Sequence, residues 1–195
     1  MKIAITGGIG CGKSTVLKFF EANGIACLSA DSVVQSLLSE DESVVGSVIE
    51  HFGTEFKNEN GSVDRKALAK IIFQSQSELE WLECLLHPLV NVSLEAFLKV
   101  HNTELACVEI PLLFVKRLEK KYDLVVSVIS SNANANIRLG LKGYSDIDIA
   151  FRRQQQLPNS IKAERSDFVL SNDGSLNFLE QQFITLLSTL KHPKV

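Results

Sequence analysis

The stretch Gly7-Gly8-Ile9-Gly10-Cys11-Gly12-Lys13-Ser14-Thr15 constrains this chain more than any other. It fits the spacing G-x-x-x-x-G-K-[ST]. Before it runs Lys2-Ile3-Ala4-Ile5-Thr6, short, β-branched and apolar; after it, residues 15–22 have helical periodicity and end near Asn23-Gly24. Strand, glycine loop and helix is the setting the motif requires. Its glycines let main-chain N–H groups turn inward and approach a polyphosphate closely. The first helical turn adds unpaired N–H groups and the positive end of the helix dipole. Gly8, Gly10, Cys11, Gly12, Lys13, Ser14 and Thr15 are therefore expected to hold a bound polyphosphate. Lys13 is expected at the β- and γ-phosphates and the Ser14 hydroxyl on Mg²⁺. A glycine-rich turn that matches by chance is the competing reading, and motif, context and position together argue against it.

The rest of the chain reads as an α/β domain. Residues 25–28 suggest a second short buried strand, and a helix from about Ser32 to Leu38 follows. Asp31 stands between them. It is a preferred type for a helix N-cap. It is also a carboxylate at the carboxyl end of a strand, where open α/β sheets bind ligands, and it could take a proton from an attacking hydroxyl. The two roles are compatible. Residues 42–101 read almost wholly as helix, with a polar loop over 53–61, Asp64 as a cap, and Leu68, Ile71, Ile72 and Phe73 on one helical face. A longer stripe, Leu79, Leu82, Leu86, Val90, Leu94 and Phe97, is interrupted at His87-Pro88, where a break or kink is expected. His87 is either structural or free for contacts there. Trp81 reads as packing and Arg65 as solvated. So many helical residues between two strands exceed one crossover and imply an inserted helical lobe, the expected place for a second substrate.

A third strand, 105–109, ends in Glu109, the expected Mg²⁺ partner of a phosphate loop, although an acid at a strand end also occurs by chance. A fourth strand covers 122–128 and a fifth 167–171. Between them, a helix over 132–141 carries Arg138. A Ser145-x-x-Asp148 box then starts a helix carrying Arg152 and Arg153. Two basic helices joined by a glycine turn suit a lid that brings charge to a phosphoryl group and shuts out water, or else a solvated basic hairpin. A last amphipathic helix uses Leu176, Leu179, Phe183, Leu186, Leu187 and Leu190, with fraying expected from His192.

Composition narrows the class. At 45% hydrophobic the chain is not disordered. Its 20 basic and 23 acidic residues, net −3, give no electrostatic case for nucleic acid or an anionic membrane as partner. Cys27, Cys84 and Cys107 read as small buried residues in a reducing compartment, and Cys11 as a loop spacer rather than an oxidisable thiol. No signal peptide or membrane span is expected, so the cytoplasm is the expected location.

The order of landmarks resembles the dephospho-CoA kinase family over nearly the full chain. The residues that carry the likeness are 6–15, Ser29-Ala30-Asp31, Leu86-His87-Pro88-Leu89, Glu109-Ile110-Pro111-Leu112-Leu113-Phe114, Gln156-Leu157-Pro158 followed by Lys162, and Asp167-Phe168-Val169-Leu170 with Asn172 and Gly174. The resemblance implies a three-layer P-loop kinase fold: a five-stranded parallel sheet, a helical substrate lobe and a helical lid. The expected division is a core of about 1–30, 103–130 and 166–195, a lobe of about 31–102 and a lid of about 131–165. It implies transfer of the γ-phosphoryl of ATP to the 3′-hydroxyl of dephospho-CoA. Asp31 would be the base, Arg138 and Arg152 the lid arginines, Asn172 and Gly174 a turn near the adenine, and His87 with Pro88 part of the substrate lobe. Two departures stand out. Val115 follows Pro-Leu-Leu-Phe where the family usually has an acid. Lys142 stands at a lid-arginine position beside a glycine turn one residue shorter, keeping the charge without the bidentate fork. Another P-loop nucleoside or nucleotide kinase, and a non-catalytic nucleotide-binding regulator, are the rival readings. The expected partners are ATP and dephospho-CoA, with the chain a monomer or small homo-oligomer.

Overall fold

The computed structural model describes residues 1–72 and 74–191. Five strands form one sheet: β1 (Lys2–Gly7), β2 (Ala26–Ser29), β3 (Ala106–Glu109), β4 (Leu124–Ile129) and β5 (Phe168–Ser171), in the order β2-β3-β1-β4-β5. β1 pairs in parallel with β3 and β4, and β4 with β5. The order runs outward from β1 on both sides. The carboxyl end of β1, where the glycine loop begins, is therefore the topological switch point at which such sheets bind ligands.

The chain divides into two compact units, Met1–Leu28 with Val100–Val195, and Ser29–Lys99. In the first, one face of the sheet is covered by α1 (Lys13–Ala22) and α9 (Leu176–Lys191). Ile3, Ile5, Val126 and Val128 share that face because parallel pairing sets Ile5 beside Val126. They meet Val16 and Phe20 of α1 and Leu179 and Phe183 of α9, with Phe20 and Phe183 edge to face at 4.9 Å. The opposite face presents Thr6 beside Ser127, both fully buried. Against it lies α8 (Asn159–Glu164), whose Lys162 carbonyl accepts from Ser127 Oγ at 3.2 Å. Helices α6 (Asn132–Leu141) and α7 (Asp146–Gln154) precede α8. The Ser145 box forms as read: Asp148 Oδ2 accepts from the Ser145 N–H at 3.2 Å, and Ser145 Oγ from the Asp148 N–H at 3.2 Å.

The second unit is helical: α2 (Ala30–Glu40), α3 (Glu42–Phe52), α4 (Arg65–Ile72) and α5 (Gln76–Val100). Its core gathers Leu38, Val44, Val48, Leu68, Leu82 and Leu86. Asp64 caps α4 through the Lys66 and Ala67 N–H groups, both at 3.0 Å. Trp81 packs as expected, stacked on His51 at 3.9 Å, and Arg65 is exposed.

Several expectations are corrected. The helix after β2 starts at Ala30, so Asp31 lies in its first turn and Ser29 takes the N-cap position; there a carboxylate still suits the dipole. Of the break or kink expected at His87-Pro88, the break does not occur: α5 continues through Pro88. Buried positions 82, 86, 90, 94 and 98 recur every fourth residue on both sides of the proline, and that continuous burial outweighs one missing hydrogen bond. The 53–61 loop is not wholly polar: a 3₁₀ turn over Thr54–Phe56 buries Phe56. β2 lies at the sheet edge and is half-buried. Cys84 is exposed and Cys27 intermediate, while Cys11 is buried with Cys107. Burial pushes the Cys107 thiol well up, with Cys27 beside it adding to the effect. Leu176 is 61% exposed. Helix α8 is not among the expected elements; Pro158 takes its N-cap position. Phe73 and the tail from His192 lie outside the described residues.

Pro88 holds its helix at a cost. Pro88→Ala restores an N–H and removes a ring clash one turn back, so unfolding in urea should show a gain of about 1–3 kcal/mol with unchanged helical circular dichroism. A loss of stability would show that α5 is shaped around the proline.

Candidate active site

The site grows out of the turn between β1 and α1. Within the loop, the Cys11 N–H closes a turn on Gly8 O at 3.2 Å, and the Thr15 and Val16 N–H groups both reach Gly12 O, at 3.0 and 3.2 Å. The N–H groups of Gly10, Gly12, Lys13 and Ser14 donate to no described residue. Four such donors within five residues, at the positive end of a helix, form an anion cradle. Gly10 and Gly12 hold φ of 74° and 97°, a region that L side chains rarely adopt. Space forbids a side chain there too. A Cβ on Gly12 would collide with the Asn172 amide, and one on Gly10 would come within 2.7 Å of Ala135 O.

Three side chains brace the loop. Asn172 follows β5, is 8% exposed, and donates from Nδ2 to Cys11 O at 2.9 Å. Arg138 of α6 donates to Gly10 O at 3.4 Å, to Ser130 Oγ at 3.0 Å and to Asn172 O. Asn159 of α8 donates to Ser130 O at 3.0 Å and lies against Gly8 and the Cys11 thiol. Asp173 locks the same corner. Its carboxylate accepts from the Ser131 N–H at 2.7 Å, from Asn134 Nδ2 at 2.9 Å and from Ser130 Oγ at 2.8 Å. These bonds, the Ser131 N–H first, hold its pKa down to about 2.

A cavity of about 450 Å³ opens beside the loop, lined by Gly8, Ile9, Cys11, Ser130, Gln156 and Asn159 among others. Lys13 is 9% exposed, and its ammonium donates to Gly8 O at 3.2 Å. Lys162 is 1% exposed and donates to Gln156 Oε1 at 2.9 Å. Burial first, then the charge of Lys13, lowers the Lys162 pKa to about 8, while Cys11 acts the other way. Ser14 is exposed in the first turn of α1. Glu109 is 5% exposed at the end of β3, in register with Ile5.

The structure thus brings together Gly8, Gly10, Cys11, Gly12, Lys13, Arg138 and Asn172. Arg153 of α7 lines the cavity and donates to Asn136 Oδ1 at 2.7 Å, whereas Arg152 stacks over Tyr144 at 5.1 Å. Gly174 is exposed just beyond Asn172. Lys142 sits at the C-cap of α6, and Val115 is 42% exposed. Asp31, His87 and Pro88 belong to the Ser29–Lys99 unit: Asp31 exposed on α2, His87 half-exposed on α5 beside Glu83 at 3.9 Å. Asn159 and the burial of Lys162 were missed in the sequence. The one available signal was Pro158, which starts helices as readily as it stops them.

If Asn172 braces the loop, Asn172→Ala should cost about 1–3 kcal/mol of stability, because Cys11 O then loses its donor and stays buried. ATP affinity, read by calorimetry, should fall with it. Unchanged affinity would show that the loop keeps its shape without this amide.

A family model described as dephospho-CoA kinase matches residues 1–177. The dephospho-CoA kinase of Bdellovibrio bacteriovorus is 31% identical over 195 residues, covering 98% of this chain and 97% of its own. The crystal structure of TT1252 from Thermus thermophilus is 30% identical, with a TM-score of 0.78 over 97% of both chains. A dephospho-CoA kinase from Campylobacter jejuni shares the fold at a TM-score of 0.72 and 21% identity, covering 97% of this chain and 98% of its own. By its family model, its relatives and its fold, this chain belongs to the dephospho-CoA kinase family.

Proposed function

We infer that this chain transfers the γ-phosphoryl group of ATP to the 3′-hydroxyl of dephospho-CoA, giving coenzyme A and ADP. Family membership supports the substrates. The observation that carries the chemistry is the set of unpaired N–H groups at Gly10, Gly12, Lys13 and Ser14. In phosphoryl transfer most of the catalysis is positioning and electrostatic stabilisation, because little covalent chemistry falls to the protein. The loop amides fix the β- and γ-phosphates, and Lys13 neutralises charge that grows on them. Arg138 keeps the loop in shape from behind, and in this reading it also adds charge near the transferring group, as does Arg152 after lid closure.

Asp31 follows the end of β2 by two residues and lies exposed in the first turn of α2. In the proposed reaction it orients the ribose hydroxyl and accepts its proton as the new P–O bond forms. The helical unit Ser29–Lys99 serves as the acceptor lobe, with His87 and Pro88 as substrate contacts, and residues 131–165 act as the lid. Asn172 and Gly174 border the adenine side.

The Ser14 hydroxyl and the Glu109 carboxylate are hard oxygen donors, the type Mg²⁺ takes alongside phosphate oxygens, and in this reading they hold the ion. Bound there, Mg²⁺ would neutralise charge on the β- and γ-phosphates. No helix among the described residues is long and apolar enough to cross a membrane. A cytoplasmic monomer or small homo-oligomer completes the reading.

The test is ADP release by purified protein with ATP, Mg²⁺ and either dephospho-CoA or a panel of nucleosides and nucleoside monophosphates. Release that depends on dephospho-CoA is expected; preference for a monophosphate acceptor, or ATP binding without transfer, would overturn the reading. Asp31→Ala should lower kcat by about 10²–10⁴-fold with ATP affinity kept. Lys13→Ala should lose both. Near-normal turnover in Asp31→Ala would remove that residue from the mechanism.

A further inference from the structure

Lysine is almost never fully buried unless it is paired with an opposite charge. Two lysines break that rule within one unit of this chain. Lys162 is 1% exposed and Lys13 9% exposed. Each ammonium is held by a neutral oxygen, Gln156 Oε1 for Lys162 and Gly8 O for Lys13. Neither forms an ion pair with a carboxylate among the described residues. Both oxygens belong to residues that line the cavity beside the glycine loop. Helix α8 is fixed to that loop one turn before Lys162, where Asn159 packs on Gly8 and Cys11.

A fold that buries two like charges without a counter-ion is destabilised by them. It can carry that penalty when a ligand supplies the missing charge. We propose that Lys162 is a second phosphate-binding cation of the nucleotide site, its ammonium parked on Gln156 until the polyphosphate provides the counter-charge that it shares with Lys13. The proposal rests on reading the glycine loop as a phosphate cradle and is independent of the acceptor's identity. The depressed pKa of Lys162, caused by burial and by Lys13, is what an uncompensated cation shows. Helix α8 and the Gln156-Leu157-Pro158 turn thereby gain a role in binding: they carry a charge to the cavity from the side opposite α1 and α9.

Two variants separate charge from packing. Lys162→Met removes both the charge and the bond to Gln156. Lys162→Gln removes the charge but can still donate to Gln156 Oε1. Without ligand, both should melt at or above the wild-type temperature. Both should bind ATP and inorganic tripolyphosphate about 10- to 100-fold more weakly by calorimetry, the range for one lost charge-assisted contact. A lower melting temperature with ATP affinity within about twofold of wild type would overturn the proposal and leave Lys162 a structural bolt. So would full recovery of affinity in Lys162→Gln. In the wild-type protein with ¹³C-labelled lysine, the Lys162 Cε resonance should move when tripolyphosphate is added; a stationary resonance overturns the proposal without any variant having to fold. If wild type binds tripolyphosphate as described but transfers nothing to dephospho-CoA, the functional reading fails and this assignment stands.

Discussion

A main-chain N–H with no partner is costly wherever water cannot reach it, and this chain lines up four of them between Gly10 and Ser14. Left-handed backbone at Gly10 and Gly12 aims them, and neither position has room for a Cβ. Everything near the loop works to keep that conformation. Asn172 holds it at Cys11, Arg138 at Gly10, and Asn159 at Gly8 and Cys11. Asp173 in turn ties the start of α6 to the end of β5. These contacts hold the loop's shape without a phosphate, which lowers the reorganisation that binding requires.

The same site stores unfavourable charge. Lys13 and Lys162 lie buried with neutral partners, and burial first, then the charge of Lys13, lowers the pKa of Lys162. Strain of this kind clusters where function needs it. The opposite face of the sheet carries two buried hydroxyls among its apolar residues. Thr6 and Ser127 are fully buried there, and Ser127 with Ser166 satisfies the Lys162 carbonyl, so α8 is seated by hydrogen bonds rather than by an apolar stripe alone.

Much of the fold was legible in the chain. The strand–loop–helix start, the five strands and the Ser145 capping box follow from local rules, because short apolar runs, glycine spacing and capping chemistry act within a few residues. Local signals mislead where distant contacts decide. Pro88 looked like a break because its cost is local, while the burial that overrides it spans α5. Leu176 fitted the helical stripe yet lies outside the packed turn of α9. Asn159 and Lys162 could not be placed, since a short helix after a proline has no periodicity to read. Arg138 and Asn172 were singled out by resemblance, but their grip on the loop's carbonyls is a property of the packed chain alone.

The central claim is that the unpaired amides of the loop are the phosphate receptor. Amide NMR of ¹⁵N-labelled protein during titration with tripolyphosphate tests it most directly. The largest shifts should fall on the Gly10, Gly12, Lys13 and Ser14 N–H groups, saturating together, with adenosine alone leaving them in place. Shifts confined to other residues, or these four unmoved at saturation, would contradict it.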